Sequence, residues 1–499
     1  MNFYPANVDI EALNTLGKKA FPKFNDNHLL RILDVITQKY YYYNYKEDFS
    51  YVKIHSDLFG SITNDYVKYI KLVFENEIII IDEDWQKDVK SKGYSFTSKY
   101  LQGLTFIDTI DRKNKISCEK FFNEEYDIDK YKENIKSNSS FFNFESKDIL
   151  DSFLPFLKID TEKALSISEG LYQKDINDTQ LINEENLKDK IDLASARKNR
   201  RFMSIHKLRK RVFNTSRPDS IGRYFNPLTS LKKELRSTLS VNNQNLVGLD
   251  LRNSQPFLAS VIFSPSFWYF DALPANIKFK FERKFNIKSS ETCKFNIETI
   301  GMHEQILNFV NYDRLIKALV KLNAPLSDSL KYKELVANNK FYDKLEDLIK
   351  GECGIANLPA KDLSFIIMFS SNRTGIKDHK KTRQIPPKQK RMAKKIFNDA
   401  FPDVNEIFKT IKSKNHSTLA RLLQRIESFL FIDQIVYEIN KRCPHLPIFT
   451  IHDSICMPGG IPKNIEDMAS KFIEDAIGLK PMFKIEKYAL EEELSNIDV

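Results

Sequence analysis

The chain has few cysteines and none of the signals of a secreted or membrane protein. Its five cysteines are scattered over 499 residues and never form a C-x-x-C pair, which argues against a disulfide framework and against a zinc ribbon. No apolar run approaches the roughly 20 residues that span a bilayer. The first residues, MNFYPANVDIEALN, show neither a basic n-region nor an apolar h-region. We therefore expect a soluble cytoplasmic protein without membrane contact.

Acidic residues are outnumbered by basic ones, 67 to 77, and the net charge is +10. This excess fits a polyanionic partner or a solvated basic surface. Residues 197–211 carry eight Arg or Lys and no acid that would pair at i,i+4, which favours contact with phosphates. Residues 373–395 carry ten against one acid and include QIPPKQK, which we predict to be a non-helical loop. The candidate phosphate contacts in the first segment are Arg200, Arg201, Lys207 and Arg209.

The first hundred residues read as two helices followed by two strands. The helices are predicted at 25–44 and 64–76, and the strands at 77–85 and 93–101, joined by a Lys-rich loop. This order is that of a winged helix, a common reader of duplex DNA, or of another small α+β domain. At 499 residues, two to four domains are expected.

Two apolar segments each run into a single aspartate. NLVGLDLRNSQPFLAS places Asp250 at the end of a predicted strand, and LPIFTIHDSICMPGG does the same for Asp453. A carboxylate at the end of a buried strand is costly unless a positive group lies beside it. If the two strand ends are neighbours, their carboxylates can share divalent metal ions. The alternative is that each aspartate caps a turn or a helix.

Three segments together resemble the motifs of family A DNA polymerases and of the related single-subunit RNA polymerases. GLDLRNSQPFLAS resembles motif A, KDLSFIIMFSSN resembles the fingers helix of motif B, and IHDS resembles motif C. SIGRYFNPLTSLKKELRSTL is similar to the Gly-Arg segment before motif A, and LARLLQRIESFLFIDQIVYEINKR to the helix before motif C. The motifs span about half of the chain.

The resemblance assigns roles to particular residues. Asp250 and Asp453 correspond to the catalytic carboxylates, which hold two Mg²⁺ or Mn²⁺ ions together with the backbone carbonyl of Leu251. The residues that correspond to nucleotide contacts are Lys361, Phe365, Phe369, Gln255, Phe257 and Arg373. Those that correspond to nucleic-acid contacts are Arg223, which follows Gly222, and Arg236, Gln424 and His452.

The chain departs from the family pattern at several positions. Asn357 stands where the family has an arginine four residues before the fingers lysine, so Arg373 or a lysine of the basic loop is expected to grip the triphosphate. Ser370 replaces a glycine after the fingers helix. The glutamate that excludes ribose is replaced by Gln255, or by Phe257 in a shifted alignment, which leaves the choice between dNTP and rNTP open.

The resemblance implies an α+β fold with a right-hand arrangement of palm, fingers and thumb after a winged-helix-like domain. The expected domains are 1–111 (winged-helix-like), 112–240 (thumb-like and basic), 241–290 (palm), 291–400 (fingers) and 401–499 (palm). The implied function is a monomeric DNA-directed DNA polymerase that extends a primer-template with nucleoside triphosphates and lacks a proofreading exonuclease. The alternatives are a primase or RNA polymerase, with RNA as a possible template, and a non-catalytic replication initiator.

Overall fold

The computed structural model describes residues 1–43, 51–82, 91–101, 103–107, 146–177, 187–287, 295–350, 358–372 and 385–488. Helices alternate with short antiparallel strands, so the predicted α+β class is confirmed at that level. No helix in the described ranges is both long and apolar enough to cross a membrane. The α-helices of at least seven residues are Ile10–Ala20, Asp26–Tyr43, Tyr66–Glu75, Ser146–Phe153, Thr161–Asn177, Leu187–Arg209, Ala275–Phe285, His303–Phe309, Tyr312–Leu322, Ser329–Ala337, Phe341–Ile349, Ala360–Phe369, Pro387–Ala400, Pro402–Ile411, Thr418–Ser428 and Lys463–Ile477.

The eleven strands of the described residues form three antiparallel sheets. They are β1 (Asn2–Pro5), β2 (Val52–Lys53), β3 (Ile79–Ile81), β4 (Gly93–Phe96), β5 (Leu104–Ile107), β6 (Lys158–Ile159), β7 (Leu239–Val241), β8 (Gln244–Leu251), β9 (Phe449–Ile451), β10 (Ser454–Pro458) and β11 (Phe483–Lys487). The largest sheet has the order β6-β7-β8-β10-β9, and β11 pairs with β8. Strand β8 therefore lies at its centre.

Strand β8 forms because its second half is apolar on both faces. Leu246, Val247, Leu249 and Leu251 are all buried, as expected of a central strand covered on both sides. Strands β10 and β11 flank it on either edge and both run antiparallel to it. The sequence between Leu246 and Leu251 is thus fixed in position by two neighbours.

The helix Thr418–Ser428 packs against the main core along one stripe. Leu419, Leu422, Leu423 and Ile426 follow the i, i+3, i+4, i+7 spacing of an amphipathic helix, and all four are fully buried. It continues through a π-helical segment, Phe429–Val436, into Tyr437–Arg442. Such π-helical turns occur frequently near functional sites.

The N-terminal region has its own buried apolar cluster. The predicted helices are observed at Asp26–Tyr43 and Tyr66–Glu75, and the predicted strands contain β3 and β4, which pair with each other. The predicted Lys-rich loop between them lies mostly outside the described residues. Four features were not predicted: the helix Ile10–Ala20, the short helix Ser56–Gly60, strand β2, which pairs with β4, and a ribbon formed by β1 and β5. Winged-helix character stays a prediction.

Candidate active site

The two strand-end aspartates lie on neighbouring strands. In the register of β8 and β10, Asp250 is opposite Ser454, the residue after Asp453. The backbone N–H of Leu251 donates to the carbonyl oxygen of Asp453 at 3.3 Å. Residues that are 453 − 250 = 203 positions apart in sequence are therefore joined by the sheet ladder. This is the adjacency on which a shared metal site depends.

Asp453 belongs to a two-residue turn between β9 and β10. Ile451 and Ser454 are paired across the hairpin, which leaves His452 and Asp453 as the connection. His452 has φ 56°, in the left-handed region. For a residue other than glycine this conformation costs roughly 1–2 kcal/mol. Strained backbone of this kind concentrates at functional sites, where the surrounding structure holds it in place.

Asp250 lies in an environment that disfavours its ionised form. Burial raises the pKa of Asp250 to about 7, and the carboxylates of Asp453 and Glu486 contribute to the rise, while Lys484 and Lys361 oppose it. Clustered carboxylates with this property attract compensating positive charge. A raised pKa at a half-buried carboxylate is also typical of functional sites.

Lys361 reaches the same site from the predicted fingers helix, observed at Ala360–Phe369. Its ammonium is close enough to Asp250 to lower the pKa of that carboxyl, and its side chain is exposed. The rings of Phe365 and Phe369 lie 5.4 Å apart between centroids, as i,i+4 spacing predicts. Phe369 is buried in the main core, whereas Phe365 is half-buried.

Glu427 is a site residue that sequence reasoning missed. Its side chain is 1% exposed and accepts two hydrogen bonds from Arg223, at 2.9 Å from Nε and 2.8 Å from Nη2. Burial raises the pKa of Glu427 to about 7, Arg223 opposes the rise and Asp453 adds to it. Arg223, predicted to bind nucleic acid, thus has a bidentate partner inside the protein.

The short helix Ser254–Leu258 carries both residues that were predicted as alternatives for contact with the sugar. Gln255 Nε2 donates a hydrogen bond to Glu427, which places Gln255 beside the carboxylate cluster. Phe257 is 1% exposed and forms part of the main apolar core. Of the two, Gln255 is the residue that lies next to the site.

Tyr342 is a second residue that the sequence did not reveal. Burial raises its pKa to about 12, a hydrogen bond with Ser364 opposes this, and Asp453 contributes to the rise. The phenol therefore lies near Ser364 of the helix Ala360–Phe369 and within electrostatic reach of Asp453. Nothing in the local sequence around Tyr342 distinguishes it from a core tyrosine.

The other predicted nucleic-acid contacts lie around the site. The Arg236 guanidinium is 5.9 Å from the Tyr488 ring centroid. The His452 ring is edge-on to Phe225 at 6.3 Å between centroids. Gln424 is half-buried and lies one helical turn before Glu427.

The donor set fits a hydrated Mg²⁺ or Mn²⁺ ion. The described residues contain no group of three or more His, Cys, Asp or Glu that converge as a metal cage. Mg²⁺ is usually held by one or two carboxylates, with water and substrate phosphates completing the shell. Asp250 and Asp453 supply two carboxylates, and the pKa of Asp250 is raised first by burial and then by the neighbouring carboxylates of Asp453 and Glu486.

The basic helix Leu187–Arg209 uses several of its cations inside the protein. Arg201 is 5% exposed and forms an ion pair with Asp175 at 3.2 Å. Lys207 donates to Gln38 at 2.7 Å, and burial lowers its pKa. The absence of acids between residues 197 and 211 therefore does not mean that the cations there face solvent, because the partners of Arg201 and Lys207 lie on other helices.

The two remaining candidates on this helix lie nearer the surface. Arg209 is exposed and Arg200 is half-buried. For these two residues, contact with phosphates stays a prediction.

The first part of the second basic segment, residues 373–384 with Arg373, lies outside the described residues, and so does Asn357. The predicted loop QIPPKQK is wrong from Pro387 onward, since the helix Pro387–Ala400 starts there with proline in its first turn. Proline suits that position because its missing N–H has no helical partner in any case.

Comparison with known proteins adds little to the geometry. No protein-family model matches the chain, and no curated protein matches it in sequence. Among solved structures, the chain is similar to the POL domain of Pol1 from M. smegmatis in complex with DNA primer-template and dNTP. The identity is 9%, the match covers 69% of this chain and 70% of that one, and the TM-score is 0.27. A score this low does not establish a common fold, so function must be judged from the site's own residues.

Proposed function

We propose that the chain is a template-dependent nucleotidyltransferase, a DNA-directed DNA polymerase that extends a primer 3′-hydroxyl. One observation carries the proposal: Asp250, Asp453 and Lys361 come from three distant segments and meet at one end of the central sheet. Two adjacent carboxylates next to an exposed cation suit phosphoryl transfer, in which catalysis is mostly positioning and charge stabilisation.

Each residue has a distinct task in this proposal. Asp250, Asp453 and the Leu251 carbonyl would hold the divalent ions, which when bound activate the 3′-hydroxyl and stabilise the leaving pyrophosphate. Lys361 neutralises charge on the transferring phosphate. Phe365, half-buried on the same helix, offers a ring to the nascent base pair.

Glu427 and Arg223 form a buried ion pair that holds a neighbouring side chain of the site in position. Their buried ion pair fixes the side chain of Gln255 through its hydrogen bond to Glu427. Gln255 is neutral where the resembled DNA enzymes carry a carboxylate, which favours a primase or RNA polymerase as the second candidate. The palm, fingers, thumb and winged-helix assignments, with their boundaries, belong to this proposal.

Primer extension tests the proposal directly. The protein is incubated with primed and unprimed DNA and RNA templates, separately with dNTPs and rNTPs, in the presence of Mg²⁺ or Mn²⁺. Extension of a DNA primer with dNTPs is expected, and synthesis with rNTPs alone would favour the primase alternative.

Substitution of the aspartates locates the chemistry. Asp250→Ala and Asp453→Ala are each expected to abolish extension and to leave DNA binding intact. Asp475→Ala, an exposed acid on the helix Lys463–Ile477, serves as the control. If the Asp453→Ala protein extends primers normally, the assignment fails, and a parent that binds DNA but extends nothing points to a replication initiator.

A further inference from the structure

Strand β11 places a lysine directly beside the candidate catalytic aspartate. In the antiparallel register of β8 and β11, Lys484 is the Cα partner of Asp250. Residues directly opposite each other in antiparallel strands project to the same face, with Cβ atoms about 4.5–5.5 Å apart. Lys484 therefore rises from the sheet on the Asp250 side, on the edge of β8 away from β10.

On the face of the sheet that carries Asp250, β11 contributes one acidic residue, and that residue already forms an ion pair. Glu486 is the Cα partner of Gly248 and lies two residues beyond Lys484. Its carboxylate forms an ion pair with Lys233 at 2.5 Å. Since β11 side chains alternate between faces, Lys484 and Glu486 share the Asp250 face.

Lys484 itself is exposed. Within the described part of the chain, no hydrogen bond or ion pair of its ammonium is found. The ammonium of Lys484 remains hydrated, so folding of the chain does not desolvate it. It can therefore donate hydrogen bonds to an anionic ligand. It differs in this respect from Arg201 and Arg223, whose guanidinium groups are engaged inside the protein.

We infer that Lys484 binds a phosphate group of the substrate next to Asp250, an inference that rests on the polymerase function proposed above. Lys361 approaches Asp250 from the fingers helix, and Lys484 approaches it from the edge of the sheet. Two phosphate sources share this chemistry, the phosphodiester at the primer terminus and the triphosphate of the incoming nucleotide. Sequence motifs do not mark Lys484, because its role depends on the register of β11.

The test compares two lysines of one strand. Lys487 is three residues further along β11, exposed, and opposite Val247, so it projects to the other face. Lys484→Ala is expected to lower kcat/KM for extension by about 10- to 100-fold, the usual effect of losing a hydrogen bond to a charged group. Lys487→Ala is expected to change it less than twofold. Circular dichroism melting of both variants verifies that they are folded.

Two further measurements identify the phosphate. A primer whose terminal linkage is a neutral methylphosphonate removes the charge that Lys484 would contact, and the parent and Lys484→Ala should then extend it equally if the primer is the ligand. If the triphosphate is the ligand, the nucleotide KM rises in Lys484→Ala and the variant's defect is the same on both primers.

The inference is overturned if Lys484→Ala behaves like Lys487→Ala. It is also overturned if Lys484→Ala lowers kcat/KM equally on the ordinary and the methylphosphonate primer and leaves the nucleotide KM unchanged. A parent protein that extends no primer refutes the proposed function itself, whereas an active parent with an unaffected Lys484→Ala variant refutes this inference alone.

Discussion

Removal of Arg223 is expected to destabilise the protein in a pH-dependent way. Arg223 donates two hydrogen bonds to Glu427, whose side chain is 1% exposed. Breaking a buried ion pair by deleting one partner commonly costs about 3–5 kcal/mol, because the other charge is left uncompensated. Glu427 can avoid part of this cost by taking up a proton. Its pKa is already raised to about 7 with Arg223 in place, and it rises further without it.

The size of the pH-dependent loss of stability in Arg223→Ala follows from proton uptake by Glu427. The unfolded chain has Glu427 near its ordinary pKa of 4.5. In the folded parent Glu427 loses its proton as the pH rises past about 7, so well above pH 7 it contributes little pH dependence to stability. In Arg223→Ala the folded state keeps the proton while the unfolded state does not. Stability then falls by up to about 1.4 kcal/mol per pH unit. The destabilisation should therefore grow by up to about 2–3 kcal/mol between pH 7 and pH 9.

Urea unfolding at pH 7, 8 and 9 measures this effect. Trp268 is fully buried in the main core and reports its unfolding by fluorescence. The other tryptophan of the chain, Trp85, is replaced by Phe throughout. The double variant Arg223→Ala, Glu427→Gln is the control and should lose the added pH dependence. A destabilisation that is constant from pH 7 to pH 9, or equally pH-dependent in the double variant, would refute the reasoning.

Three further predictions concern other parts of the site. Lys361→Ala should lower the single-turnover rate of nucleotide addition about a hundredfold or more, with primer binding unchanged, because the lost charge acts mainly in the transition state. Gly222→Ala should destabilise the protein by about 2 kcal/mol or more in urea unfolding, since Gly222 has φ 65° and a Cβ there would lie 2.2 Å from Nη1 of Arg425. Reversing the charge of Arg200 and Arg209 together should reduce the slope of log K against log salt by about 0.9 per lost phosphate contact.

Matched variants separate these effects from general damage. Lys350→Ala removes an exposed lysine paired with Asp347 and should leave the rate unchanged. Gly478→Ala introduces the same left-handed strain, φ 76°, but a Cβ there meets nothing within 4 Å. It should lower the free energy of unfolding by less than Gly222→Ala does. Equal losses would show that the Arg425 side chain moves away from the added Cβ at little cost. An unchanged salt slope after charge reversal would mean that the helix does not contact phosphates.

The sequence predicted those parts of the site that local patterns encode. Apolar runs that end in Asp250 and Asp453 indicated two strands, and spacing of four placed Lys361 on one helical face with two aromatic residues. In each case the pattern and the structure depend on the same short-range geometry.

The remaining site residues depend on tertiary register. Glu427 is placed at the site by its hydrogen bonds with Arg223 and Gln255. Lys484 is placed there by the register that pairs it with Asp250. Arg201 looked like a surface cation, yet its partner Asp175 comes from another helix. No local rule reveals these pairings, because each joins segments that meet only after folding.

The central position of β8 has a consequence for synthesis. The ribosome completes β8 at Leu251. The two strands that pair with its apolar residues, β10 and β11, are made only after residue 453. At about 5–20 residues per second, the gap lasts roughly 10–40 s. Strand β7 pairs only with Gln244 and Asn245 of β8. During that time the apolar residues from Leu246 to Leu251 therefore have both edges free to pair with other chains. We expect the nascent chain to need chaperone protection in this interval, and slow translation between the two segments to increase aggregation.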